Sequence, residues 1–106
     1  MALDVDTLFD AMSSAAQGLA TGVWSQMQTF ALPELQKIAV QIVSIEQNNY
    51  PEDAAKALLD MQVRATVSVI VGMTTLVLLD VQAAINQILN AVKALVNAAL
   101  PFALIP

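Results

Sequence analysis

The stretch PEDAAKALLDMQVRATVSVIVGMTTLVLLDVQAAINQILNAVKALVNAA, residues 51–99, decides the fold. Its polar side chains Asp53, Lys56, Asp60, Arg64, Ser68, Thr75, Gln82, Asn86, Asn90, Lys93 and Asn97 recur every three or four positions if Gly72 and Leu79 count as weak links. The mean step, about 3.67 residues, is helical and closer to an 11-residue repeat than to a heptad. Read as one element, the stretch predicts a helix of about 45 residues, some 65–70 Å long at about 1.5 Å per residue. Helices of that length belong to coiled coils, membrane spans or extended assemblies.

One part of the stretch competes with this reading. Val63 to Val71 (VRATVSVIV) is rich in β-branched residues, and Val67, Val69 and Val71 alternate with polar neighbours as in a strand. The polar stripe nevertheless enters at Arg64 and leaves at Thr75 in helical phase, with no turn residues to launch or close a strand, so the segment is read as helix. Its start is well marked. Pro51 presets the backbone angle, and Glu52 and Asp53 place negative charge at the positive end of the helix dipole.

Upstream, Gln47-Asn48-Asn49-Tyr50 is the one turn-like cluster and divides the chain into two arms. In the first arm Asp6, Asp10, Ser14, Gln17, Thr21, Ser25 and Gln28 form one stripe, against Val5, Leu8, Phe9, Met12, Ala15, Leu19, Val23, Met27 and Phe30. This predicts an amphipathic helix over about residues 5–31, capped by Asp4 or Asp6. Pro33 removes an amide and crowds the preceding turn, so the helix kinks there or restarts. Glu34 favours a restart, giving a helix over 33–48 with Glu34, Lys37, Gln41 and Ser44 outward and Leu35, Ile38, Ala39, Ile42 and Ile45 inward. The third helix is 51–99. The expected class is therefore all-α, a single domain over residues 1–106. It is either a long helical hairpin or, if the arms fold again near Pro33 and between Gly72 and Asp80, a compact four-helix bundle.

Composition narrows the function. Of 106 residues, 58% are apolar and 12% charged, against roughly 25% charged in ordinary globular domains. With no Cys and no His, disulfides, the usual zinc and haem ligands, cysteine nucleophiles and histidine acid–base chemistry are excluded. No catalytic residue, cofactor or metal site is expected, and the chain is not read as an enzyme. Net charge is −5 with four basic residues, too few to neutralise nucleic-acid phosphates. The basic residues have helical neighbours instead: Lys56 has Asp53 and Asp60, Arg64 has Asp60, and Lys37 has Glu34. Asp4, Asp6 and Asp10 resemble a calcium loop only superficially, because Leu8, Phe9 and Ala15 stand where that loop needs an oxygen ligand, glycine and glutamate. Asp80 follows four apolar residues but borders the polar stripe, and is read as solvated or ion-paired.

The first ten residues carry three aspartates and no Lys or Arg, unlike a secretory leader. A cytoplasmic location is the default expectation, with leaderless export or membrane association as alternatives. Ala65 to Leu79 is the most apolar window, averaging about 1.7 in hydropathy when extended to roughly 19 residues, yet it is shorter than a span and flanked by Arg64 and Asp80.

Each helix thus presents an apolar sector wider than a two-helix contact covers, and association is expected. The leading function is a self-assembling structural or scaffold subunit, with copies of itself or another helical protein as partner. The candidate interface residues are Gly18 and Gly22, spaced with Ser14 for close helix approach, the patches Val67, Val69, Val71 and Leu76, Leu78, Leu79, and the apolar tail Phe102, Leu104, Ile105. A membrane-associated or membrane-inserting helical protein is the alternative. A helical module binding an apolar ligand is the third reading, and it requires an internal pocket.

Overall fold

Asp4 starts the first helix. Its Oδ2 accepts from the Thr7 backbone N–H at 3.0 Å and from the Thr7 hydroxyl at 3.1 Å, satisfying an amide that has no partner one turn back. The computed structural model describes residues 3–19 and 21–106, with the side chain of Thr21 outside that set. It is all-α, in the order α1 (Val5–Ala16), α2 (Thr21–Gln47), α3 (Glu52–Met73) and α4 (Leu78–Ala99), with no strand among the described residues. Val63 to Val71 is helical despite its β-branched composition.

The arms are folded again, so the architecture is the four-helix bundle and not the long hairpin. A 51–99 helix of 65–70 Å is ruled out by a molecule whose longest dimension is 38 Å. The break lies between Met73 and Leu78, inside the Gly72–Asp80 window. There the Thr74 hydroxyl donates to the Ile70 carbonyl at 2.7 Å and accepts from the Leu76 N–H at 3.2 Å. One side chain thereby replaces two backbone bonds that a continuing helix would need.

In the first arm the break is displaced. Pro33 lies inside α2, which runs on to Gln47, and the boundaries 5–31 and 33–48 are corrected accordingly. Pro33 and Thr29, whose carbonyl loses its i+4 partner, are both exposed, so water can reach that carbonyl. Ala31, Leu35, Ile38, Ala39 and Ile42 are fully buried on both sides of the proline and hold the helix together. The chain turns instead after Ala16, where Gly18 N–H bonds to the Ala15 carbonyl and Leu19 N–H to the Ala16 carbonyl, each a tightened i−3 bond.

The turn between α2 and α3 closes with a recognisable helix-ending motif. Tyr50 N–H bonds to the Ile45 carbonyl and Asn49 N–H to the Glu46 carbonyl, around Asn49 at φ 53°. Asn tolerates this left-handed conformation better than other residues with a Cβ. Pro51 then caps α3 in an extended conformation.

The helices alternate in direction. α1 packs on α2 and α4, α2 packs on α3 and also touches α4, and α3 meets α4 more loosely. Leu8, Met12 and Ala16 from α1, Met27 to Ile45 from α2, Ile70 from α3 and Val81, Ile85, Ile88 and Val96 from α4 form one core. Glu34, expected to face outward, is 5% exposed. Its Oε2 meets Lys37 Nζ at 2.8 Å, so the lysine carries the pair to the surface. Thr66 is fully buried, and its hydroxyl has no hydrogen-bond partner among the described residues. Replacing it with the isosteric Val removes an unpaired polar group and should raise unfolding free energy by about 1 kcal/mol, read from the urea midpoint.

Candidate interaction surface

Two surface features converge on the α3 and α4 helices. The first is the corner where α3 ends and α4 begins. Val77, Leu78 and Leu79 are consecutive and 59%, 50% and 75% exposed, and Met73 beside them is 58% exposed. A run of three exposed large apolar residues is avoided on a solvated surface unless something covers it. The corner exists because Thr74 ends α3 early. Val77 caps α4 and Leu78 and Leu79 open its first turn, so all three lie at the exposed end of the helix. Thr75 fixes the corner to α2, its hydroxyl donating to Gln26 Oε1 at 3.0 Å. Asp80, in the first turn of α4, is solvent-exposed.

The second feature is the groove between α3 and α4, which the tail half fills. After Leu100 the chain reverses and lays Leu104 and Ile105 into the bundle, 2% and 4% exposed. Asn97 holds them there: its Oδ1 accepts from the N–H groups of Leu104 at 2.9 Å and Ile105 at 3.0 Å, and its Nδ2 donates to the Ile105 carbonyl at 2.8 Å. Ile105 and Pro106 lie beside Leu59, Asn86, Leu89 and Asn90. Beyond them the groove continues as an open cleft of about 580 Å³, with Val63, Val67 and Leu78 on its lining and Asp60, Arg64, Ser68, Gln82 and Asn86 among its polar groups.

The expected interface residues are distributed unevenly over these features. Leu78 and Leu79 are at the corner and free; Val69 is 38% exposed, while Leu76 and Val71 are half-buried against the core. Val67 is buried, as are Leu104 and Ile105, and Phe102 packs on the core. The tail therefore docks on its own chain, leaving little for a neighbour to cover. Gly18 and Gly22 do not share a helix face with Ser14: Ser14 is in α1, Gly18 in the turn and Gly22 at the start of α2. Among the described residues, nothing lies within 4 Å of where a Gly22 Cβ would stand, and at Gly18 only the Ala15 carbonyl does, so no close helix crossing between described residues uses them.

Among the charged groups, Arg64 Nε meets Asp60 Oδ2 at 2.9 Å as expected, whereas Lys56 pairs with Glu52 at 2.7 Å and not with Asp53 or Asp60. No group of acidic side chains is placed to hold a metal ion among the described residues. No described helix is long and apolar enough to cross a membrane, because the Ala65–Leu79 window is divided between two helices and a turn. Among the described residues, the clefts named above open to the surface. Asn97 is the residue that sequence reasoning missed; it stood in the polar stripe as a solvated position. No family model, curated protein or solved structure matches the chain.

Proposed function

We propose that this chain is a small helical scaffold subunit that self-associates through the corner between α3 and α4. The observation that carries the reading is the exposed run Val77-Leu78-Leu79 with Met73 beside it. Together these side chains offer roughly 400 Å² of apolar surface, the size of patch that marks interaction sites on monomers. A symmetric pair burying this patch and its rim reaches about 1,000 Å², the lower bound of a specific interface.

A second copy is the occupant favoured by charge. From Ala65 to Leu79 the chain has no ionisable side chain, while the whole carries −5. Two copies meeting over Met73, Val77, Leu78 and Leu79 bury no charged side chain from that segment, and the exposed Asp80 next to Leu79 has to remain at the solvated rim of the contact. An isologous contact also needs only a surface complementary to itself, and a flexible apolar cluster containing methionine adapts to its own image.

Light scattering without detergent tests the reading. The wild type is expected to exceed the 11.3 kDa mass of one chain in a concentration-dependent way, and Leu79→Lys to return it to the monomer. Leu79 is exposed, so the substitution should leave the helical circular dichroism unchanged. A wild type that stays monomeric to about millimolar concentration, or a variant that associates equally well, rules the proposal out.

A further inference from the structure

We propose that the open half of the α3–α4 groove is a binding site for a short, non-helical, uncharged peptide segment of another polypeptide. The chain itself demonstrates the chemistry in the other half. There the end of a non-helical segment, Phe102-Ala103-Leu104-Ile105-Pro106, borders α3 and α4 through Ile105 and Pro106. Its branched side chains are buried, and an α4 carboxamide satisfies its backbone.

The two halves are one lane. Asn86 borders both the tail-filled part, with Ile105 and Pro106, and the open part, with Val63, Val67 and Leu78. Along α4 the carboxamides Gln82, Asn86, Asn90 and Asn97 follow the groove from its open to its filled end. Among the described residues, Asn97 is the only one of these four whose side chain has a hydrogen-bonded partner within the chain. A carboxamide both donates and accepts, so Gln82 and Asn86 can engage a peptide N–H and C=O as Asn97 does. The opposite rim offers the ion pair Asp60–Arg64, whose charges offset each other, and the hydroxyl of Ser68. In a chain of net charge −5 this lane has no excess charge, which favours an uncharged occupant. Its volume, about 580 Å³, falls within the range of ligand sites.

The site goes beyond self-association but shares Leu78 with that proposed contact, so it is tested in a chain that does not self-associate as well as in the wild type. The full-length, ¹⁵N-labelled chain is titrated with the peptide Phe-Ala-Leu-Ile-Pro, capped at both ends, and the amide resonances are followed. Saturable shifts are expected at Val63, Val67, Ser68, Leu78, Gln82 and Asn86. Ser68→Trp fills the lane from an exposed position and should weaken binding at least tenfold. Asn86→Ala, also exposed, should weaken it about threefold to tenfold through loss of a backbone contact. The Leu79→Lys chain is titrated in parallel, so that a failure of self-association leaves the peptide result readable. Absence of shifts up to about 1 mM peptide overturns the proposal. So do shifts confined to Asn97, Leu104 and Ile105, which would mean displacement of the tail, or binding that Ser68→Trp does not reduce.

Discussion

Replacing Asn97 with alanine is expected to lower the unfolding free energy by about 2–4 kcal/mol, a large share of the roughly 5–15 kcal/mol typical of a domain. Asn97 makes three hydrogen bonds to the backbone of Leu104 and Ile105. After truncation the tail has two courses. If it stays, two N–H groups and a carbonyl lose their partners in a partly buried place, at about 1 kcal/mol or more each. If it leaves, Leu104 and Ile105 lose burial worth about 1.5–3 kcal/mol each, offset by the freedom that the released residues regain. The gain in helix propensity from Asn to Ala, less than about 0.7 kcal/mol, does not reverse either outcome. Urea denaturation reads the loss as a lower midpoint. A lower m-value as well identifies release, because the native state has then already exposed part of the surface. An unchanged midpoint would show that the tail contributes nothing.

The Asn97 contact also shows what the sequence could reveal. Eleven polar residues spaced three or four apart point to helix through most of residues 51–99, which is helical over Glu52–Met73 and Leu78–Ala99, and mark which flank is polar. They carried no information on what that flank meets. On α3 the stripe is charged, with Asp53, Lys56, Asp60 and Arg64, and those residues are exposed. On α4 it changes mainly to carboxamides, at Gln82, Asn86, Asn90 and Asn97 with Lys93 among them, side chains that pair with backbone as readily as with water. That change of chemistry, followed by an apolar tail with two prolines, was the available signal for a chain folding back on its own helix.

The break between α3 and α4 was legible only as a window. Thr74 and Thr75 keep helical phase with the stripe, and a break made by a threonine hydroxyl bonding to Ile70 and Leu76 has no strong sequence signature. Hydrophobicity alone marks Leu78 and Leu79 as candidate interface residues, and they are exposed. It marks Val67, Leu104 and Ile105 on the same grounds, and they are buried. Hydrophobicity does not distinguish core from interface; that distinction depends on how the arms fold again. The four-helix arrangement buries the core residues internally and leaves the corner as a run of exposed apolar side chains, with Val40, Met61 and Leu95 exposed singly elsewhere.

Pro33→Ala is expected to raise unfolding free energy by about 2 kcal/mol. A proline in a helix interior costs about 3 kcal/mol through the missing N–H and the crowding of the carbonyl four residues earlier. Restoring the amide gives the Thr29 carbonyl its partner, and the lost ring was exposed, so no core packing is removed. Part of the gain is offset because proline also restricts the unfolded chain, by about 0.4–1 kcal/mol. The sign of the measured change carries the argument. Met27 and Ala31 before the proline, and Leu35 and Ile38 after it, are all fully buried. A gain means that these contacts hold α2 together in spite of the proline, at a cost the bundle tolerates. A loss, read as a lower urea midpoint, would mean instead that the two halves of α2 need the proline's geometry to reach α1 and α3 together. In that case Pro33, which first looked like the end of a helix, would be the residue that shapes the longest one.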